Sequence, residues 1–456
     1  MSQRKLFGTD GIRGKANIYP MTSEIATALG RAVTHYFQTH GDGKRKKPLI
    51  IVGKDTRLSC YMLEHAFAAG VCSQGGSVIL TGPLPTPGVA FVTKSMRADA
   101  GVMISASHNS FDDNGIKIFD ASGHKLPDEV ELELENLVLT PDLMPVMVGP
   151  KLGNAKRLKE VFGRYIVHAK SALRGDFDLD GMRIVLDCAN GAGYKVAPMM
   201  FDELGAEVMT LGVNPNGENI NLNCGSLHPE GAAESVTKFR ADLGICLDGD
   251  GDRVTVINHD GKVIHGDVLI GLFAKLLLDQ GSLKKGDTVV GTVMSNLGLE
   301  VYLRELGLKF HRTKVGDRYI MEHMKESGAI LGGEPSGHII FKEFATTGDG
   351  CLAALKMVEA MKFYGEELQN ILAQIQLYPQ VTKNAIVNKK VPLDTIEPIQ
   401  ALLKKVDVEL GDKGRVLVRY SGTEPLARVM VEGERFEQVD RLCDELVDVV
   451  SRELGQ

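Results

Sequence analysis

Residues 100–109 read Ala-Gly-Val-Met-Ile-Ser-Ala-Ser-His-Asn, an apolar run that ends in a polar loop. The following segment, Asp113–Phe119, reads Asp-Asn-Gly-Ile-Lys-Ile-Phe, so the pattern predicts two strands joined by a loop that carries Ser107. In open α/β sheets, ligands bind beyond the carboxyl ends of the strands, which is where this loop would lie. An ordinary loop serine that bonds its own backbone is the alternative, and the Ser-His pair alone does not exclude it.

The segments before this loop alternate between strand and helix patterns. Leu49–Gly53 and Val78–Leu80 predict strands, and helices are predicted over Met62–Gln74 and Gly88–Lys94. The order strand, helix, strand, helix, strand indicates a mainly parallel sheet with helices on its faces.

A self-comparison of the chain finds a repeat. Residues 97–107 align without a gap with residues 240–250, are identical at Arg-Ala-Asp and at Gly, and place Ser107 opposite Asp250. A third unit is predicted between residues 288 and 338, where an apolar strand again ends in a polar loop, Gly-Glu-Pro-Ser-Gly-His. We therefore predict three related α/β units that each contribute one loop to a shared centre.

The chain is too long for one core, and its patterns divide it into four parts. At 456 residues, three or four domains are expected. Two prolines and two glycines between residues 142 and 153 mark the first boundary. Beyond residue 364 the pattern changes to three strands and a long closing helix. The predicted fold is three related mixed or parallel-sheet α/β domains plus a smaller C-terminal α+β domain around a central cleft, with bounds 1–153, 154–256, 257–372 and 373–456.

Composition excludes several classes of partner. A net charge of −7 and a pI of about 6.0 argue against nucleic acid or an anionic membrane. No apolar run approaches the ~20 residues of a membrane span. The seven cysteines are scattered without a CxxC pair, so we expect reduced thiols in a cytoplasmic protein.

Residues 247–253, Leu-Asp-Gly-Asp-Gly-Asp-Arg, predict a metal site. Three carboxylates at alternate positions in a tight loop can face one hard cation. An EF-hand would need Gly and Glu where Arg253 and His259 stand, so this is not a calcium hand. Open coordination positions would suit Mg²⁺ shared with a phosphate oxygen, although a solvated acidic turn is the alternative.

Charge balance predicts cations beside this loop. Three aspartates and one Mg²⁺ sum to about −1, and a phosphate on Ser107 would add about −1.5 to −2. Arg253, Lys117 and Arg13 are the candidates for neutralising that charge.

Two further segments predict contacts to a phosphosugar. Residues 419–428 place a Ser-Gly-Thr turn between two arginines, which suits a phosphomonoester, although an exposed hairpin is the alternative. The turn at residues 333–338 presents a carboxylate and a hydroxyl to sugar hydroxyls, although an ordinary turn fits as well. No Walker A or GxSxG sequence occurs, so neither a P-loop nor an α/β-hydrolase is supported.

Five segments, at residues 7–14, 105–109, 248–253, 334–338 and 419–428, together resemble the α-D-phosphohexomutases. The resemblance runs over essentially the whole chain, with the motifs in the same order. The opening Phe-Gly-Thr-Asp-Gly-Ile-Arg-Gly and the stretch Thr-Thr-Gly-Asp-Gly at residues 346–350 are most similar to the bacterial branch acting on glucosamine phosphates. The family is known for four domains around a central cleft, three of them related.

The resemblance implies a role for each matching residue. One Mg²⁺ per chain would be held by the phosphoserine Ser107 and by Asp248, Asp250 and Asp252. The transfer site would be lined by Arg13, His108, Lys117, Arg253 and His338. Sugar hydroxyls would contact Glu334 and Ser336. The non-reacting phosphate would be bound by Arg419, Ser421, Gly422, Thr423 and Arg428. The chain departs from the family at Ser110, where a proline is common and a looser loop is expected, and at Pro335.

The implied reaction is an isomerisation of glucosamine 6-phosphate to glucosamine 1-phosphate. Ser107 would donate its phosphoryl group to give a 1,6-bisphosphate, which also serves as activator, and Lys117 or His338 would exchange a proton with the sugar. The product would lead to peptidoglycan precursors. A mutase for mannose or glucose phosphates, a Mg²⁺-dependent sugar phosphatase and a phosphosugar sensor are the alternatives, and a homodimer is left open.

Overall fold

The computed structural model describes residues 5–8, 10–41, 47–175, 177–421 and 425–455, with only the backbone of Glu367. Within these residues the chain forms four sheets. The strands of the first sheet are β1 (Phe7–Gly8), β2 (Gly11–Lys15), β3 (Leu49–Lys54), β4 (Ser77–Pro83), β5 (Ala100–Ile104), β6 (Asp113–Asp120) and β7 (Asn154–Arg157). Its helices are α1 (Ser23–His40), α2 (Ser59–Ser73), α3 (Thr86–Ser95) and α4 (Asp128–Leu139).

The next two sheets follow in sequence. The second has helices α5 (Val161–Lys170), α6 (Val196–Asp202) and α7 (Glu230–Phe239) with strands β8 (Arg183–Asp187), β9 (Glu207–Leu211), β10 (Leu243–Leu247), β11 (Val254–Asn258) and β12 (Val263–Ile264). The third has strands β13 (Thr288–Thr292), β14 (Lys309–Thr313), β15 (Leu331–Gly333) and β16 (Ile339–Phe341). Its helices are α8 (Gly266–Asp279), α9 (Leu297–Glu305), α10 (Asp317–Ser327), α11 (Gly350–Tyr364) and α12 (Leu368–Gln374).

The C-terminal unit differs from the other three. Its sheet is antiparallel, in the order β17 (Gln380–Ile386), β19 (Leu426–Gly433), β18 (Gly414–Tyr420), and packs with α13 (Glu397–Leu410) and α14 (Phe436–Leu454). The buried residues of this unit form a hydrophobic cluster of their own, whereas one continuous cluster runs through parts of the first three units. The predicted α+β unit is therefore present with a separate core.

The first three sheets share one four-stranded core, in the orders β4-β3-β5-β6, β9-β8-β10-β11 and β14-β13-β15-β16. In each, a central strand runs parallel to two neighbours, and the fourth strand runs antiparallel to the third. The predicted three related units are confirmed. The three polar loops singled out in the sequence all join the third strand of a unit to the fourth, so they occupy equivalent places.

The two identical Arg-Ala-Asp triplets also have the same structural role. They lie at residues 97–99 and 240–242. Arg97 and Arg240 both have φ of 53°, the left-handed conformation that ends a helix. The carboxylates of Asp99 and Asp242 accept hydrogen bonds from Leu49 N at 2.7 Å and Arg183 N at 2.8 Å. Each aspartate thereby fixes the start of its unit's central strand, which accounts for the repeated triplet.

Two sheets extend beyond the boundaries expected from sequence. β7 pairs with β4 in the first sheet, past the boundary predicted at residue 153. β11 and β12 continue the second sheet to Ile264, past the boundary predicted at residue 256. All four residues of β7 are exposed and none is strongly apolar, so this edge strand has no hydrophobic alternation by which the sequence could place it.

Two expectations from composition concern the whole chain. All seven cysteines are unpaired, as predicted. Among the described residues, no helix is both long and apolar enough to cross a membrane.

Candidate active site

A cavity of about 710 Å³ lies where the loops of the first three units converge. Its lining includes eight residues predicted for the site, namely Arg13, Ser107, His108, Lys117, Asp252, Arg253, Glu334 and His338. Because the equivalent loops follow the third strand of each unit, the repeated fold brings these distant segments together.

Ser107 lies at the base of this cavity in a strained conformation. Its φ is 53°, in the left-handed region that a residue with a side chain rarely adopts, and it is almost wholly buried. Its Oγ donates to Oδ2 of Asp248 at 2.6 Å and lies 3.4 Å from Nδ1 of His108. The serine hydroxyl therefore faces the acidic loop of the second unit.

The carboxylates of Asp248, Asp250 and Asp252 form one buried cluster. Their ligand atoms lie within 4.8 Å of one another. Among the described residues, Oδ1 of Asp250 and Oδ1 of Asp252 have no hydrogen-bond partner although they are buried. Burial, together with the two neighbouring carboxylates, raises the pKa of Asp248 well above its ordinary value. Three buried carboxylates packed this closely fit a divalent cation, so the cluster is a candidate metal site.

Glycines let the acidic loop approach Ser107. A Cβ at residue 249 would lie 2.5 Å from the carbonyl oxygen of Ser107, closer than any side chain allows. Gly251 has φ of 69°, which turns the loop between the second and third carboxylates. The spacing of alternate aspartates and glycines is thus explained by close packing against the serine loop.

Lys117, on β6, supplies positive charge to the same cluster. Its Nζ lies 2.9 Å from Oδ2 of Asp250 and 3.5 Å from Oδ2 of Asp252. Burial alone would lower the pKa of Lys117, but Asp10, Asp250 and Asp252 outweigh it and raise the pKa above its ordinary value. The ammonium group is therefore held in its charged form.

His108 and Arg253 form a second polar pair beside Ser107. Nη1 of Arg253 lies 3.0 Å from Nδ1 of His108, and since arginine can only donate, that nitrogen accepts. Burial and the positive charges of Arg253 and Arg13 lower the pKa of His108 to about 4. His108 is consequently neutral at pH 7, so the positive charge next to the serine comes from the arginines.

His338 is oriented by the Thr-Thr-Gly-Asp-Gly stretch. Nε2 of His338 accepts a hydrogen bond from Gly348 N at 2.9 Å. In the neutral ring the proton is then on Nδ1, which lies 3.7 Å from Oδ1 of Asp252. In the sequence this stretch indicated only a branch of the family, whereas in the structure it positions a side chain of the cavity.

Six charged residues that line the cavity were not predicted from the sequence: Lys5, Asp10, Lys125, Asp128, Asp317 and Arg318. Asp10, Lys125 and Asp317 form one connected group among them. The carboxylate of Asp10 accepts from Arg13 and Lys125 and lies 3.3 Å from Nζ of Lys117. Lys125 also bonds Asp317 at 2.8 Å, which links the first unit to the third across the cavity. Asp10 lies inside the quoted opening motif, where a carboxylate among glycines was a usable signal.

Of the predicted phosphate-binding residues, Arg419, Ser421 and Arg428 are described, and they are not among the residues that line the cavity. Arg419 and Arg428 are directly opposite each other on β18 and β19. Burial and the charge of Arg428 lower the pKa of Arg419, and among the described residues Nε of Arg419 has no hydrogen-bond partner although it is buried. Ser421 is buried at the end of β18. Gly422 and Thr423 lie outside the described residues, so these five assignments stay predictions.

The two sugar contacts predicted in the turn at residues 334–338 have different surroundings. Glu334 lines the cavity, whereas Ser336 is exposed at the tip of the turn between β15 and β16 and is not among the lining residues. Gly337 N bonds back to Glu334 O at 3.1 Å, which closes the turn with Ser336 outside. The role predicted for Ser336 is unsupported by this geometry and stays a prediction.

Comparison with known proteins agrees with this architecture. Models of the phosphoglucomutase/phosphomannomutase family match four consecutive parts of the chain. These are alpha/beta/alpha domain I at residues 4–143, domain II at 163–261, domain III at 265–378 and the C-terminal domain at 382–449.

Curated relatives decide the branch of the family. The phosphoglucosamine mutase of Nitratidesulfovibrio vulgaris strain DP4 is 51% identical over 452 residues, which cover 99% of both chains. That of Syntrophotalea carbinolica is 50% identical over 454 residues, covering 99% of this chain and 98% of the relative. The chain belongs to the phosphoglucosamine mutase family. It is therefore an isomerase-class enzyme of the phosphohexomutase superfamily, as the sequence resemblance predicted.

Solved structures share this family's fold at low identity. A phosphoglucomutase/phosphomannomutase family protein from Burkholderia thailandensis superposes with a TM-score of 0.81 at 22% identity, covering 98% of this chain and 97% of that one. The N-acetylphosphoglucosamine mutase of Aspergillus fumigatus, solved with GlcNAc-6P and magnesium, gives 0.69 at 17% identity, covering 99% and 96%.

Proposed function

We propose that the protein interconverts glucosamine 6-phosphate and glucosamine 1-phosphate through a phosphorylated Ser107 and a 1,6-bisphosphate. The observation that carries this proposal is the 2.6 Å contact between Oγ of Ser107 and Asp248, within a cavity lined by arginine and lysine. Names of relatives at about 50% identity over the full chain support the amino-sugar substrate.

Asp248, Asp250, Asp252 and the phosphate oxygens on Ser107 would hold one Mg²⁺. The close packing of the three carboxylates, with Oδ1 of Asp250 buried and without a hydrogen-bond partner among the described residues, supports this ligand set. When bound, Mg²⁺ neutralises negative charge on the transferring phosphoryl group.

Two side chains flank Asp252 and suit the proton transfers. Nζ of Lys117 lies 3.5 Å from one oxygen of Asp252, and Nδ1 of His338 lies 3.7 Å from the other. As the bond between Ser107 Oγ and phosphorus breaks, a new bond forms between phosphorus and the sugar oxygen. One of these two groups gives its proton to Oγ and takes the sugar hydroxyl's proton in its place, so Lys117 returns to its ammonium form and the charge of the site is preserved.

The remaining charged groups stabilise the transfer. Arg13, Arg253 and the ammonium of Lys117 place positive charge around the position of the phosphoryl oxygens. His108 stays neutral and contacts the serine oxygen. Glu334, which lines the same cavity, would accept hydrogen bonds from sugar hydroxyls.

The second half-reaction returns the original phosphate to Ser107 after the bisphosphate turns around. A binding group for the non-reacting phosphate must accept both orientations of the sugar. The facing pair Arg419 and Arg428 supports such a role, since two adjacent guanidinium groups favour a bound anion. Both arginines lie on the C-terminal unit, which has a separate core, and this would let that unit open and close over the cavity.

The activator and the setting are also proposed. A sugar 1,6-bisphosphate would rephosphorylate Ser107 whenever the intermediate is lost. The seven unpaired cysteines support a reducing, cytoplasmic setting, and a homodimer remains an open alternative to a single chain.

A coupled assay with Mg²⁺ and a trace of sugar bisphosphate tests the proposal. We expect faster turnover of glucosamine 6-phosphate than of glucose or mannose phosphates, and loss of nearly all turnover in Ser107→Ala. Ser110→Ala, which removes an exposed hydroxyl of the same loop, is the matched control. A preference for neutral hexoses would move the enzyme to the sister branch, and net release of inorganic phosphate would make it a phosphatase.

A further inference from the structure

Arg57 is wholly buried and uses every donor that it has. It lies just past β3, in a segment for which no role was predicted from the sequence. Nε donates to Asp55 Oδ2 at 2.8 Å. The other four hydrogen bonds go to backbone carbonyls of the serine loop, those of Ser107, Asn109, Ser110 and Asp113. An arginine has five N–H groups, so none remains for a substrate.

Asp55, the partner of Arg57, holds the same loop from its other end. Its Oδ2 accepts from Ser105 Oγ at 2.6 Å, and Ser105 Oγ accepts from Ser107 N at 2.9 Å. The backbone N–H and the carbonyl of Ser107 are thus both connected to one buried ion pair.

Asn221, from the second unit, completes the arrangement. Its Nδ2 donates to the carbonyls of Ser107 at 2.9 Å and Asn109 at 3.0 Å, the same two that Nη2 of Arg57 reaches. A guanidinium from the first unit and an amide from the second therefore converge on the backbone around Ser107.

We infer that Asp55, Arg57 and Asn221 form a positioning clamp. The clamp holds Ser107 in its left-handed conformation, with Oγ directed at the acidic cluster of the second unit. The inference rests on the proposed function, because it concerns how the phosphorylated serine reaches its acceptor. A φ of 53° is unfavourable for serine and persists only when surrounding contacts enforce it. None of the three clamp residues lines the cavity, so they act through Ser107 and not on the sugar.

Asn221 offers the sharpest test because it is only half-buried and its substitution spares the Asp55–Arg57 ion pair. Asn221→Ala removes two hydrogen bonds, and Asn221→Asp replaces the donor with an oxygen that repels both carbonyls. Asn219→Ala, in the same loop but bonded to residues 190, 214 and 216, is the matched control. Arg57→Lys, which cannot make five bonds, is a fourth variant.

The measurements are kcat, KM, thermal midpoint and the single-turnover rate from phosphorylated enzyme to glucosamine 6-phosphate. We expect Asn221→Ala to lower kcat and the single-turnover rate about tenfold, and Asn221→Asp about a hundredfold, with KM changed less than twofold. Asn219→Ala should stay within twofold of wild type, and Arg57→Lys should lose kcat if it folds.

The outcomes separate the clamp from the proposed function. Wild-type kcat in both Asn221 variants, or a higher KM with unchanged kcat, would overturn the clamp while leaving the mutase activity intact. Equal losses in Asn219→Ala would also overturn it, since the effect would then be a general one on the loop. Absence of mutase turnover in the wild-type protein would remove the proposed function and the clamp together.

Discussion

The Oγ atom of Ser107 lies 2.6 Å from Oδ2 of Asp248, although the two residues are 141 positions apart in the chain. Each residue belongs to the loop between the third and fourth strands of its own unit. The contact therefore depends on the repeat, which places equivalent loops around one cavity, and it joins the serine proposed to carry phosphate to a carboxylate proposed to hold the metal.

The acidic cluster should bind a divalent cation in the absence of substrate. We expect Asp250→Asn to weaken Mn²⁺ binding, used as a probe for Mg²⁺, at least tenfold, because one of three charged ligands is lost. Titration calorimetry or Mn²⁺ electron paramagnetic resonance measures this without turnover. Asp260→Asn, an exposed aspartate in the hairpin after the cluster, should leave the affinity unchanged. Equal Mn²⁺ affinity in Asp250→Asn and Asp260→Asn would contradict the prediction that the acidic cluster binds the metal.

Arg419 should contribute to substrate binding more than to stability. Arg419→Ala removes a guanidinium that faces Arg428, so we expect KM to rise about tenfold to a hundredfold, the range for one hydrogen bond to a charged group. The thermal midpoint should change little, because a like-charge pair is relieved. Arg435→Ala, exposed on the same unit, is the control, and an unchanged KM in Arg419→Ala would mean that the phosphate site lies elsewhere.

Gly348 should be required for the position of His338. A Cβ at residue 348 would lie 2.6 Å from three atoms of the His338 ring, so Gly348→Ala must displace that ring. We expect kcat to fall more than tenfold, with a loss of about 1–3 kcal/mol in stability from overpacking. Gly231→Ala, where a Cβ meets nothing within 4 Å, should leave both quantities near wild type. Normal kcat in Gly348→Ala would rule out a role for His338 in proton transfer.

Asp267 should make stability depend on pH. Burial, with a smaller effect from Glu432, raises the pKa of this carboxyl from 3.8 to about 7. The folded state then binds the proton more tightly than the unfolded state, so the stabilisation is complete below about pH 4 and is lost as pH rises through about 7. A shift of this size corresponds to on the order of 4 kcal/mol.

The test compares wild type with Asp267→Asn, which stays neutral at every pH. We expect the variant to gain stability relative to wild type between pH 5 and pH 8, measured by thermal midpoint in matched buffers. Asp394→Asn, an exposed carboxylate of the C-terminal unit, is the control and should show no such trend. A constant difference between wild type and Asp267→Asn across this range would show that the carboxyl titrates normally.

Local patterns were sufficient to place most elements. The helices predicted over Met62–Gln74 and Gly88–Lys94 are present as α2 and α3, and the predicted strand Leu49–Gly53 ends one residue before β3 does. Apolar runs and glycine turns are read from neighbouring residues, so the two strands on either side of the Ser107 loop were also predicted and are β5 and β6. Edge strand β7 was missed because its pairing with β4 depends on backbone hydrogen bonds and not on its side chains.

By itself, the sequence determined the three-unit α/β architecture and predicted the serine loop and the acidic loop, because repeats, alternation and charge spacing are properties of the chain. Only the tertiary structure revealed Arg57, Asn221 and Lys125 at the site. An arginine in a polar loop looks solvated until folding buries it and directs four of its five donors to backbone carbonyls up to 56 positions away. Burial and long-range contacts arise from packing, and they decided which charged residues serve Ser107.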